Sequence, residues 1–156
     1  MFFTISKGKF VGEYISFIPP EGFMFDICRD ECKRHINFFS IDCSIDINIV
    51  LEKETTKGAD GLVDYLTENN LYMLGEPRNL KRGNGSAFGI YYGETDKSAI
   101  GYREVHDFYR TNGLLETKVS VEIRANTWRR IFSNPIYQVL GFPEIKTFLD
   151  SIEYYK

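Results

Sequence analysis

From Phe39 to Ile49 apolar and polar residues alternate without a break. Phe39, Ile41, Cys43, Ile45, Ile47 and Ile49 are separated by Ser40, Asp42, Ser44, Asp46 and Asn48. A period of two sustained this long predicts one strand with a buried and a wet face. Upstream, FFTIS and KFVGEYISFIP flank Lys7-Gly8, which predicts a hairpin whose longer arm ends at Pro19-Pro20. GFMFDIC reads as another short extended run. Downstream, Gly83-Asn84-Gly85 supplies turn chemistry before the aromatic strand SAFGIYYGE. AIGYREVHDFYR and LLETKVSVEIRAN flank Thr111-Asn112-Gly113 and predict a further hairpin, with Val119, Val121 and Ile123 on one face.

Three segments break the alternation. In GADGLVDYLTENN, Asp60 can cap a helix whose apolar side holds Leu62, Val63, Tyr65 and Leu66, and Asn69-Asn70 ends it. TWRRIFSNP predicts a short helix stopped before Pro135. GFPEIKTFLDSIEYY predicts a final amphipathic helix with Pro143 in its first turn and Ile145, Phe148, Leu149 and Ile152 on one side. No repeat or linker-like tract interrupts residues 1–156. The expectation is therefore a single α+β domain: one antiparallel β-sheet packed by helices, an α/β/α-type sandwich.

This order of elements resembles the PsbP-like family, which also holds the Ran-binding Mog proteins. The residues that carry the resemblance are YISFIPPEGF (14–23), the long alternating strand running into GLVDYLTENN, and the closing VSVEIRAN and FPEIKTFLDSIEYY. The resemblance implies that fold and a role in binding rather than one fixed activity. It carries over no Ran- or photosystem-contacting residue, because no motif here matches one.

Composition narrows the function. The 156 residues carry a net charge of −3, which argues against a general nucleic-acid binder. No window reaches the roughly 20 apolar residues needed to span a bilayer. MFFTISKGKF has no secretory pattern and three cysteines make an odd count, so a cytoplasmic location is the default expectation.

All three cysteines and one of the two histidines lie in CRDECKRHINFFSIDC, residues 28–43. A zinc site needs about four ligands converging on one point. An extended chain from Cys32 to Cys43 would separate them by roughly 36 Å and point them to opposite faces. Cys43 fits better as a small hydrophobe in the alternating strand. With Arg29-Asp30-Glu31 as a hairpin loop, Cys28 and Cys32 would face each other, a candidate disulfide or redox pair weighed against two free thiols beside a turn. No metal site is expected on this reading.

Other chemistry is equally sparse. Asp42 and Asp46 would lie about 13 Å apart on one strand, too far for a glycosidase pair. His106 and Asp107 are neighbours on a strand and face opposite ways, so they form no relay. Arg78, Lys81 and Arg82 precede a glycine-rich turn without Walker spacing, which reads as a basic, solvated loop. Trp128, Arg129 and Arg130 are residue types favoured at binding hot spots. These observations favour a non-enzymatic binding or adaptor domain for a protein or small apolar ligand, with no cofactor. Trp128, Arg129, Arg130, Arg78 and Arg82 are its candidate contacts. The alternatives are a small enzyme with a site assembled from separate strands, and a metal-stabilised domain using Cys28, Cys32 and His35.

Overall fold

The computed structural model describes residues 3–29, 34–42, 44–52, 58–94, 100–109, 111–125 and 139–154. Three short strands come first: β1 (Phe3–Ser6), β2 (Lys9–Gly12) and β3 (Ile15–Phe17). Lys7 and Gly8 both have positive φ, 51° and 77°, the two-residue turn that matches the twist of a hairpin. A meander follows: β4 (Met24–Arg29), β5 (Arg34–Phe39) and β6 (Ile45–Glu52). Helix α1 (Gly58–Glu68) leads to β7 (Leu71–Met73), β8 (Arg78–Arg82), β9 (Gly85–Glu94), β10 (Ile100–Tyr109) and β11 (Leu115–Ala125). Helix α2 (Pro143–Asp150) and β12 (Glu153–Tyr154) close the described chain.

These strands form two antiparallel sheets, which corrects the expectation of a single sheet packed by helices. The small sheet runs β1-β2-β3-β12. The large sheet has eight strands in the order β4-β5-β6-β11-β10-β9-β7, with β8 also paired to β9. The physical reason is coverage. The inner face of the large sheet carries Ile36, Phe38, Ile47, Ile49, Val119, Val121 and Ile123, all 1% exposed or less. The eight residues of α2 are too few to shield a face that wide. The small sheet covers the rest with Phe3, Phe10 and Phe17. Phe10 lies 5.4 Å from Phe38, and Phe17 lies 5.3 Å from Phe148 of α2. Sheets and helix thus share one core. The expected long arm of the first hairpin is also divided, into β2 and β3, which pair with each other.

Helix α1 packs on the opposite face of the large sheet. Its Leu62 and Leu66 bury against Ile90, Tyr92 and Val105 of β9 and β10. Asn70 ends it with a φ of 56°, the left-handed position asparagine tolerates after a helix. Pro143 opens α2 as expected, and Ile145, Phe148 and Leu149 are its buried side.

The alternation from Phe39 to Ile49 is not one strand. β5 stops at Phe39 and β6 starts at Ile45, and the two are antiparallel neighbours. Between them Asp42 Oδ1 accepts hydrogen bonds from Ser40 Oγ (2.8 Å), Ser44 N (3.0 Å) and Ser44 Oγ (2.7 Å). Local side-chain acceptors of this kind compete with the sheet ladder and fold the backbone into a turn. Ile41, expected inside, is 80% exposed at its tip. Ile41→Ser should therefore change unfolding free energy by no more than about 0.5 kcal/mol. Ile47→Ala should cost about 2–5 kcal/mol. Urea midpoints of the two variants check this, and equal losses would restore the single strand.

Candidate functional site

Strand β10 contributes Tyr102, Glu104 and His106 to the inner face, because every second residue of a strand points the same way. Glu104 and His106 have no exposed surface. A buried carboxylate is costly unless its lone pairs are filled and its charge is matched. Arg82, from β8, meets Glu104 as a fork: Nη2 donates to Oε1 at 2.7 Å and Nε to Oε2 at 3.0 Å. The Tyr102 hydroxyl donates to Oε1 at 2.5 Å, and His106 Nε2 donates to Oε2 at 2.8 Å. On the other side of the imidazole, Nδ1 lies 2.5 Å from the Tyr154 hydroxyl, which donates to the Ser86 carbonyl at 2.6 Å.

Small residues make room for this cluster. A Cβ on Gly85 would fall 2.1 Å from the Tyr154 ring, and one on Gly89 would fall 2.3 Å from the Tyr102 hydroxyl oxygen. Aromatic side chains therefore lie across the bare backbone of β9.

The electrostatics follow from this geometry. Burial alone opposes ionisation of Glu104, but hydrogen bonding and charge from His106, then Arg82, outweigh it and pull the carboxyl down to about 2. Burial, reinforced by the charge of Glu104, pushes both Tyr102 and Tyr154 above the ordinary phenol value. Desolvation works against the Arg82 cation, and Glu104 more than restores it. The carboxylate is ionised and fully engaged, and both phenols hold their protons. The cluster is a tightly bound charge centre rather than a poised acid or base.

Above it opens a cleft of about 370 Å³. Its floor is Gly89, Tyr91 and Tyr102, with the two tyrosine rings 5.2 Å apart. One wall is β8, with Arg78, Leu80 and Arg82 on the same side of the strand. The facing wall is α2 and the turn before it, with Leu140, Lys146, Leu149 and Asp150. Arg82 joins floor and walls, because its Nη1 donates to Asp150 at 3.3 Å while its fork holds Glu104.

The outer face carries a second polar group under α1. The Arg103 guanidinium carbon sits 3.5 Å from the Tyr65 ring centroid, and its Nη1 meets Glu122 at 3.2 Å. The Tyr65 hydroxyl also donates to Glu122 at 3.1 Å. This arrangement fixes the helix to the sheet.

Of the residues singled out from the sequence, Arg78 and Arg82 come together in the cleft, and Arg82 is largely buried rather than solvated. Trp128, Arg129 and Arg130 lie outside the described residues, as do Cys32 and Cys43. Cys28 stands in β4, where the register pairs its backbone with His35. Among the described residues, no group of three or more His, Cys, Asp or Glu side chains could hold a metal ion. Asp46 sits in β6 while Asp42 holds the preceding turn, so the two do not share a strand. Sequence reasoning missed Glu104, Tyr102, Tyr91, Tyr154 and Lys146. The spacing Tyr-x-Glu-x-His at 102–106 was the available signal, since it places three polar groups on one strand face.

No family model and no curated protein matches the chain. A crystal structure of a protein from Bacteroides thetaiotaomicron aligns with 99% of this chain and 48% of its own, at a TM-score of 0.45 and 13% identity. This chain thus spans about half the length of that protein. Neither result bears on the PsbP-like resemblance. Among the described residues, no helix is long and apolar enough to cross a membrane.

Removing one member of a buried ion pair typically costs about 3–5 kcal/mol, which is the loss expected for Glu104→Ala. The folded carboxyl titrates near 2, below its ordinary 4.5, so the unfolded chain takes up the proton first. Its stabilisation is complete above 4.5 and is lost as pH falls toward 2. Urea unfolding of wild type and Glu104→Gln at pH 7, 4.5 and 3 reads this directly. The gap between them should narrow with acid, and a constant gap would refute the assignment.

Proposed function

We propose that this protein is a binding domain that takes a small ligand in the cleft between β8 and α2. The observation that carries the reading is the state of the charge centre below the cleft. Both oxygens of Glu104 are engaged within the fold, by the Arg82 fork, the Tyr102 hydroxyl and His106. A general base needs a free lone pair within reach of its substrate, and this carboxylate has none to offer. What the centre supplies instead is rigidity, holding Arg82 and Tyr102 as fixed surfaces at the base of a concave site. Ligand pockets of about 300–1,000 Å³ with apolar walls and a few placed polar groups are the usual form of such sites. Leu80, Leu140 and Leu149 provide the apolar part here.

A library of small organic fragments tests the reading by amide chemical-shift mapping of labelled protein. Shifts should concentrate on Leu80, Gly89, Tyr91, Gly141 and Lys146. Fragments that bind only elsewhere, or none that bind, would overturn it.

A further inference from the structure

We infer that the ligand class is a small aromatic monocarboxylate, an inference that rests on the binding role just proposed. The argument begins with the cations. Arg82 is spent on Glu104 and Asp150. Arg78 on β8 has no ion-pair partner among the described residues, and its guanidinium carbon lies 6.0 Å from the Tyr91 ring centroid. Lys146, on the α2 wall, likewise has no ion-pair partner among the described residues. Two unpaired cations therefore face one cleft from opposite walls. Among the described residues that line the cleft, Glu76 is the carboxylate without an ion-pair partner. Set against Glu76, the two cations leave one positive charge unmatched, which suits a monoanion better than a doubly charged phosphate.

The floor decides the rest of the ligand. Tyr91 and Tyr102 lie at 50° to one another, and the Tyr102 ring lies over the bare backbone of Gly89. A flat ring can lie against the half-buried Tyr91 in offset or edge-on contact, which aromatic pairs favour. Its carboxylate would then reach Arg78 or Lys146 by a single charge-assisted bond. A bidentate clamp is excluded at Arg82, because the fork that would make it already holds Glu104.

Four probes separate the elements of this inference by titration of labelled protein: benzoate, benzamide, hexanoate and phenyl phosphate. Benzoate should bind at the cleft amides, at least about tenfold tighter than benzamide, a difference of about 1.4 kcal/mol. Hexanoate should be weaker than benzoate, and phenyl phosphate no tighter. Arg78→Ala and Lys146→Ala should each weaken benzoate about three- to tenfold and leave benzamide unchanged, as for single, partly exposed charge contacts. Both residues are exposed and lie outside the buried cluster, so these variants keep the fold. Benzamide binding as tightly as benzoate would remove the charge element, and hexanoate matching benzoate would remove the ring. Either outcome overturns the ligand class while fragment shifts at the same amides keep the binding role. Silence of those amides to both fragments and probes would overturn both.

Discussion

A carboxylate with no exposed surface dictates much of this architecture. Glu104 lies in the interior, where an unmatched charge costs several kcal/mol even after relaxation. Its neutralisation requires groups from three places: Arg82 from β8, His106 two residues along β10, and Tyr102 on the same strand face. His106 in turn requires Tyr154 from β12, and Tyr154 reaches the Ser86 carbonyl of β9. One buried charge thereby ties the edge hairpin of the large sheet to the last strand of the small one. The cleft lies where it does because these ties hold β8 and α2 at a fixed separation, with Arg82 reaching Asp150 across the gap.

The same strand has to serve two interiors. The even-numbered residues of β10 face the small sheet and α2, while Arg103 and Val105 face α1. A sheet covered on both sides usually reads as a continuous apolar run. Here polar groups occupy buried positions on both faces, and each face answers with its own arrangement of ion pair and tyrosine. Glycine makes this geometrically feasible. Tyr92 lies over Gly101 and Tyr72 over Gly93, as Tyr102 lies over Gly89. An aromatic ring laid across a strand glycine covers backbone that would otherwise lack packing, and it helps to fix register.

Features set by neighbours in sequence were legible in advance. Lys7-Gly8 and Thr111-Asn112-Gly113 specify turns through backbone conformation alone, and the apolar face of Val119, Val121 and Ile123 follows from period two. The turn at Asp42 was hidden by the same rule. In the sequence Phe39 and Ile41 extend the odd-numbered apolar positions of β6, which masks the fact that β5 buries even-numbered Ile36 and Phe38. The separation into two sheets was not legible either, since it depends on how wide a face α2 can cover. For the site, strand parity sets His106 and Asp107 on opposite faces of β10. The same parity joins His106 to Glu104, a step the sequence reading did not take. Arg82 and Tyr154 lie 22 and 48 residues from their partners, and no local pattern encodes such meetings.

β12 pairs Tyr154 with Ile15 and Glu153 with Ser16, so the small sheet joins two segments from nearly opposite ends of the described chain. Synthesis is vectorial, and this pairing fixes an order of events on the ribosome. β1, β2 and β3 emerge first and can form a hairpin array, but its open edge waits until residue 154 has cleared the exit tunnel. Until then Phe17 lacks Phe148, and His106 lacks the hydroxyl that completes its bonding. Contacts this distant along the chain are entropically slow to close. Phe17 therefore stays uncovered until α2 has emerged, whereas His106 waits only the 48 residues that separate it from Tyr154.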